Sequence, residues 1–304
     1  MKKVGDTKET QKKDNVFHKK EQLEQFERLN CSAGGNGSGF SCYDSASIKK
    51  LKELWNKRHP DNPIHETNDR EIWSSLRRQM SDVCNTEKCW MRQQFAKNKL
   101  SPTLISYTFA PTAPTAWIKN NNEWLSSVDI QKVMQQYERK YSHFEFIGPS
   151  PIDFDKKLVD GECVWNELCN FQVSDTLARN KTKIGFIFNT DPHYLRGSHW
   201  IALFVDLRNK LIIYFDSTGD AVPKEIKKLI ARIKGQAKDL GINMETMTNK
   251  KQHQKGETEC GMYCLHFIIG LLAGKHKPEY YLKSDISDDD MEKLRAIYFN
   301  RPGL

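Results

Sequence analysis

The chain has 304 residues, 38% of them hydrophobic and 28% charged, and its 47 Lys and Arg against 39 Asp and Glu leave a formal net charge of +8. Fifteen Phe, ten Tyr and seven Trp exclude a chain disordered throughout, and the length accommodates one large or two modest domains whose core needs no disulfide staples. The longest apolar stretch, Met262 to Ala273, is interrupted by His266 and falls short of the roughly 18 residues a bilayer crossing needs, so no membrane insertion is expected.

At the amino terminus, Met1-Lys2-Lys3-Val4-Gly5-Asp6 runs into mixed charge rather than an apolar core, so neither a secretory signal nor an anchor is readable. A reducing compartment is therefore expected, in which the eight Cys serve as core residues, metal ligands or nucleophiles rather than disulfides. Residues 1–40 read as a flexible, partly helical segment: Val16, Phe17, Leu23, Phe26 and Leu29 mark a marginal helix, followed by a Gly/Ser linker from Cys31 to Gly39. A helical arm follows over 41–110. One of its helices carries Ile48, Leu51, Leu54 and Trp55 and stops at Pro60; the next carries Ile72, Trp73, Leu76, Met80 and Val83. Ser101-Pro102, Pro111 and Pro114 predict an extended connection that closes this part.

Residues 111–304 have a different texture. Ile130, Val133, Met134, Tyr137 and Tyr141 form a helical stripe, with Ser127 as N-cap and Asp129 in the first turn, and Gly148-Pro149-Ser150-Pro151 predicts a sharp turn. The apolar runs Ile184–Phe188, His199–Val205 and Leu211–Phe215 predict core strands, the last two joined as an antiparallel hairpin. Pro223 opens an amphipathic helix through Ile226, Leu229, Ile230, Ile233 and Leu240 that stops at Gly241, and a strand is expected near 242–247. From Cys260 to about Ala273 the residues are apolar nearly all round, which predicts a buried helix. The fold class expected is α+β, a small mixed sheet packed on a central helix, with a helical N-terminal arm.

Cys260 opens that buried helix behind Thr258, a candidate N-cap, where free N–H groups and the positive end of the helix dipole favour a thiolate. A thiol nucleophile needs a base and the base an orienting acceptor. His199 heads one strand of the hairpin and Asp216 ends the other, so antiparallel pairing brings both to one end of the sheet. Gln254, in the loop before Cys260, is a candidate oxyanion donor through its amide NH₂, together with the Cys260 backbone N–H. His193 and His253 begin no predicted strand and read as exposed loop residues, while His266, inside the buried helix, is expected to satisfy its ring by hydrogen bonding.

Gly197-Ser198-His199-Trp200, Tyr214-Phe215-Asp216-Ser217 and Gln254-Lys255-Gly256-Glu257-Thr258-Glu259-Cys260-Gly261 resemble the His-Trp, Asp-Ser and Gln-x₅-Cys-Gly signatures of the SUMO-protease/adenain clan of cysteine proteases. Trp124-Leu125-Ser126-Ser127-Val128-Asp129-Ile130, Asn189-Thr190-Asp191, His253-Gln254 and Ile286-Ser287-Asp288-Asp289-Asp290-Met291 narrow the resemblance to the virion proteases of large DNA viruses, of African swine fever virus and mimivirus type. The resemblance implies a papain-type catalytic domain over 111–304 in which Cys260, His199 and Asp216 are catalytic, Gln254 serves the oxyanion and Trp200 lines a narrow channel for glycine-like residues. It further implies cleavage of structural (capsid or core) polyproteins after Gly-Gly-type sites during virion maturation, without metal or cofactor. One departure is Asp216, where the African swine fever virus enzyme has Asn; Asp stabilises an imidazolium more strongly.

The same parts would serve a deSUMOylase or deubiquitinase acting on host conjugates. The +8 charge suits a virion core or DNA association, and a DNA- or scaffold-binding protein retaining this fold is the reading from another class. The expected location is the virion and the viral factory in the host cytoplasm. Cys31, Cys42, Cys84 and Cys89 are numerous enough to give zinc four thiolates, but their irregular spacing favours ordinary thiols or a local disulfide over that site; Cys163, Cys169 and Cys264 read as packing residues. Gly34-Gly35-Asn36 is a flexible linker that matches the preferred cleavage type and so a candidate autoprocessing site.

Overall fold

The computed structural model describes residues 28–33 and 39–301, which fall into two compact units divided between Thr112 and Ala113. The helix expected through Val16 to Phe26 and the Gly34-Gly35-Asn36 site lie outside the described residues.

In the first unit α1 (Ser45–Arg58) starts where the Asp44 carboxylate accepts from the Ser47 N–H, and α2 (Asp69–Gln79) where Asn68 accepts from Arg70 and Glu71. Their apolar stripes bury Ile48, Leu51, Leu54, Trp55, Ile72 and Leu76, around which Tyr43, Trp90 and Phe109 close an aromatic core. Helix α2 stops earlier than expected, at Gln79, and Val83 lies exposed beyond it. After the short α3 (Glu87–Trp90), the segment expected to be extended forms α4 (Pro102–Tyr107) instead. Pro102 sits in its first turn, where the missing N–H costs nothing, and Ser101 accepts from Leu104 as N-cap.

The thiols depart further from expectation. Cys31 is bonded to Cys42, Cys84 to Cys89, and Cys163 to Cys169, so only Cys260 and Cys264 are free. Of the readings of Cys31, Cys42, Cys84 and Cys89 the local disulfide is the one found, while the packing thiols expected at Cys163 and Cys169 are a cross-link as well, and all three bridges join positions only 5 to 11 residues apart. Cys163 and Cys169 pair across the single turn α6 (Asn166–Cys169) rather than merely packing.

The second unit is a five-stranded mixed sheet in the order β1-β2-β3-β4-β5. Strands β2 (Lys183–Asn189), β3 (Trp200–Asp206) and β4 (Leu211–Phe215) are antiparallel neighbours, while β1 (Phe144–Pro151) and β5 (Glu245–Thr248) join the edges in parallel. Strand β1 runs through the residues expected to turn. Proline is tolerated because β1 is an edge, with a break in register between Ile147 and Ser150, and Gly148 adopts φ +119° where a Cβ would meet the Ile187 carbonyl at 2.8 Å.

Alternation along β3 sorts the core. Trp200, Ala202 and Phe204 face α9 (Cys260–Leu272), whereas Ile201, Leu203 and Val205 face α8 (Lys224–Asp239). Helix α9 is covered on nearly every side, with α5 (Ser127–Lys140) and α11 (Asp288–Tyr298) packed near it, and each fully buried Leu265, Phe267 or Ile268 contributes about 1.5–3 kcal/mol. Helix α5 begins one residue earlier than expected: Ser126 is the N-cap, and it forms a capping box with Asp129. The short helices α7 (Val173–Ala178) and α10 (Pro278–Lys283) complete the unit.

Candidate active site

Antiparallel pairing of Ala202 with Phe215 sets the register that brings His199, one residue before β3, beside Asp216, one residue after β4. His199 Nε2 lies 2.7 Å from Asp216 Oδ1. Burial by itself pushes this imidazole down. The hydrogen bonds to Asp216 and Cys260 and the negative charge of both outweigh burial and raise it to about 10. Burial likewise opposes the charge on Asp216, yet the His199 hydrogen bond and charge, with the Thr218 N–H, hold its carboxyl below the ordinary range.

Cys260 stands at the first position of α9 and is 1% exposed. Its N-cap is Glu259 rather than Thr258, and no side chain caps the helix; the Glu259 carboxylate turns back to accept from Thr258. The first N–H groups of the helix therefore remain available beside the thiol. Gly261 follows for a steric reason: a Cβ there would lie 3.1 Å from Leu125 Cβ and 3.4 Å from Trp200 Cδ1. Trp200 itself is fixed by its indole N–H, which donates to the Leu125 carbonyl at 3.0 Å.

Gln254 is buried in the loop before Cys260. Its Oε1 accepts from the Ser217 hydroxyl at 2.7 Å, and one Nε2 hydrogen is spent on the Gly256 carbonyl at 2.9 Å. The amide is thus oriented by residues on both sides, with one N–H left over. His193 is exposed, as expected, and pairs with Asp153 at 2.7 Å. His253 is not exposed: its Nε2 lies 2.9 Å from the Tyr281 carbonyl, its ring stacks on Phe215, and burial holds its basicity down. Among the described residues His266 is met by the rings of His276, Tyr280 and Tyr281 rather than by a hydrogen bond to its ring, and burial lowers it to about 4. Cys264, one turn after Cys260, is fully buried, and burial pushes its thiol up, so it is no rival nucleophile.

Three fastenings escape sequence reasoning. The buried Asn249 side chain accepts from the Asp216 N–H and donates to the Asp216 carbonyl, both at 2.8 Å, clamping the backbone that carries the acceptor. Asp288, at the start of α11, accepts from the N–H groups of Lys255 and Gly256 at 3.0 and 2.8 Å and from the Tyr263 hydroxyl at 2.9 Å, tying the loop before Cys260 to α9. Arg295 reaches from α11 to the carbonyls of Glu123 and Thr258 and lies 3.9 Å from the Glu259 carboxylate. No local pattern connects positions that lie 25 or more residues apart, and only the motif around Ile286-Ser287-Asp288 hinted at the second. Among the described residues no group of three or more His, Cys, Asp or Glu could hold a metal ion.

Residues 127–301 match the family described as the Ulp1 protease family, C-terminal catalytic domain. A thiol protease of Acanthamoeba polyphaga mimivirus is 31% identical over 223 residues, covering 73% of this chain and 70% of the relative. The SUMO-1 cysteine protease of African swine fever virus, from a South African tick isolate, is 28% identical over 271 residues, covering 84% of this chain and 96% of its own. The crystal structure of the African swine fever virus protease shares the fold, with a TM-score of 0.60 at 21% identity over 89% of this chain and 95% of that one.

Proposed function

The chain belongs to the Ulp1 protease family, and from that membership we propose that Cys260, His199 and Asp216 perform acyl transfer on structural polyproteins, cutting after Gly-Gly-type sites during virion maturation. That it is a cysteine-type peptidase follows from the family and its relatives. The observation that carries the finer reading is His199 held at 2.7 Å by Asp216 and electrostatically coupled to Cys260 at the start of a buried helix.

The Cys260 thiolate attacks the scissile carbonyl, forming the C–S bond while the carbonyl electrons move to oxygen. That oxyanion meets the Cys260 backbone N–H and the remaining Gln254 amide hydrogen. As the C–N bond breaks, His199 gives its proton to the leaving amine. It then takes a proton from the water that releases the acyl group, and the thiolate is restored. Asp216 holds the ring and its positive charge throughout. Trp200, seated against Gly261, narrows the approach so that residues without a side chain fit beside the scissile bond. The +8 charge assists retention at a virion core or on DNA in the viral factory.

The test is cleavage of purified virion precursor polyproteins beside SUMO and ubiquitin conjugates, with Cys260→Ala as control. Cysteine-dependent cleavage of the precursors after Gly-Gly is expected. Preferential cleavage of conjugates would replace the polyprotein reading with that of a deconjugating enzyme, and an active Cys260→Ala protein would sink the mechanism.

A further inference from the structure

The net charge is not spread evenly along the chain. Helix α8 has 16 residues, and its six cations against two anions leave a surplus of four, half of the chain's +8. Lys224, Lys227, Lys228, Lys234 and Lys238 are all exposed, as are Ala231 and Gly235 between them. At 3.6 residues per turn these residues share one arc of about 120°, opposite the buried Ile226, Leu229, Ile233 and Ala237. Neither Glu225 nor Asp239 falls within that arc. The solvent face of α8 is therefore built of lysines and the two smallest residues alone.

This arrangement works against the helix that carries it. Lys224 with Lys228 and Lys234 with Lys238 are like-charge pairs one turn apart, which destabilise a helix by about as much as opposite charges stabilise it. Lys224 and Lys227 also stand in the first turn, where the positive end of the dipole disfavours a cation. Among the described residues only Lys224 of the five has an ion-pair partner, the neighbouring Glu225 at 3.6 Å, and its side chain remains 85% exposed. Solubility needs only mixed charges. A single-sign row that costs the helix stability is explained when a polyanion neutralises it.

The make-up of the row selects among polyanions. Lys224 to Lys238 spans about 21 Å at 1.5 Å per residue, a length over which one strand of a duplex sets about six phosphates. The face has no Arg, Asn or Gln to read a base edge and no aromatic ring to stack on an unpaired base. It also lacks the large apolar residues with which a helix enters a lipid surface. Ala231 and Gly235 let a phosphate backbone approach closely between the lysines.

We propose that the solvent face of α8 is a docking surface for the phosphate backbone of double-stranded nucleic acid, held without regard to base sequence. The proposal rests on the reading of the +8 charge as a means of retention and on no part of the catalytic assignment. Helix α8 packs on Ile201, Leu203 and Val205, whereas Cys260 opens the helix on the opposite face of the sheet. A duplex bound to α8 therefore leaves the candidate site open to substrate.

The experiment follows binding of the full chain to two fluorescein-labelled duplexes of unrelated sequence, each about 20 base pairs long, by anisotropy at salt from about 50 to about 200 mM. The two Kd values should agree within about threefold, and log affinity should fall against log salt with a slope of about −4.5, the value for five lysine contacts. Lys227→Gln, Lys234→Gln and Lys238→Gln together should weaken binding about tenfold or more at the lower salt and make the slope shallower by about 3. A comparison variant carries Lys49→Gln, Lys97→Gln and Lys99→Gln at exposed lysines of the first unit; it changes the net charge equally and should keep nearly the parent's affinity. The urea midpoint of the α8 variant should equal or exceed the parent's, because like-charge repulsion is relieved. A loss no greater in the α8 variant than in the comparison variant would overturn the surface and leave retention to overall charge. A parent that binds neither duplex would overturn the retention reading as well. Tighter binding to phosphatidylserine vesicles, lost in the α8 variant, would replace the nucleic acid by a membrane.

Discussion

At the scale of single residues the candidate site turns on His199, whose Nε2 is committed to Asp216 and whose charge is coupled to Cys260. An imidazole raised from its ordinary 6.5 to about 10 stays protonated through neutral pH, so in the proposed mechanism Cys260 is met by a cation and the leaving amine by a ready acid. Replacing Cys260 or His199 by Ala should cost about 10⁴-fold or more in kcat, as measured on a Gly-Gly peptide. Asp216→Asn should cost less, up to about 10²-fold, because Asn still orients the ring but cannot neutralise it. The pH profile separates these roles. Activity of the parent should fall on the alkaline side as His199 loses its proton near 10, and Asp216→Asn should move that limb to lower pH. An alkaline limb unmoved by the substitution would remove Asp216 from the electrostatics of the site.

At the scale of elements the candidate catalytic groups are borrowed from a sheet end, a helix start and the loop before it, and each is held from outside its own element. Asp288 is the clearest case, since one carboxylate joins the Lys255–Gly256 backbone to Tyr263 on α9. Asp288→Ala leaves those two N–H groups without their acceptor and lets the Gln254 loop shift. A displacement of about 1 Å is enough to cost on the order of 10²-fold in rate. The expected outcome is a fall in kcat of roughly ten- to a hundredfold with KM little changed, alongside about 1–3 kcal/mol lost in denaturant unfolding. A variant that loses stability with kcat intact would make Asp288 a purely structural clamp. Gly148 and Pro149 teach a related lesson: turn-forming residues end up in a strand because that strand is an edge and bends at a register shift.

For the molecule as a whole, the same ion pair links catalysis to stability. His199 has a raised pKa in the folded state, so its contribution is complete below its ordinary 6.5 and is lost as pH climbs toward about 10. Asp216 is lowered, so its contribution is present above its ordinary 3.8 and is lost as pH falls through the depressed value. Unfolding midpoints in urea across pH should therefore fall on both sides of the interval from about 4 to 6.5, and His199→Gln should flatten the alkaline slope between 6.5 and about 10. A parent and variant with parallel alkaline slopes would contradict the coupling.

Periodicity alone determined β2, β3, β4, α8 and the buried α9, because each buries a regular apolar pattern that neighbours in sequence suffice to display. The placement of the candidate set was legible for the same reason: hairpin pairing makes the approach of His199 to Asp216 a local matter, and the signature around Cys260 carries the family resemblance. What only the tertiary structure decided depends on partners distant in sequence. Edge position made β1 a strand, the rings of Phe215 and Tyr263 with the Tyr281 carbonyl buried His253, and the folded chain decided which cysteines pair in its three disulfides. The clamps of Asn249 and Asp288 belong to that group as well. A hydrogen bond between residues 32 or 33 apart leaves no periodic trace in a chain, since its worth arises only after the sheet and α9 have brought both ends into one desolvated place.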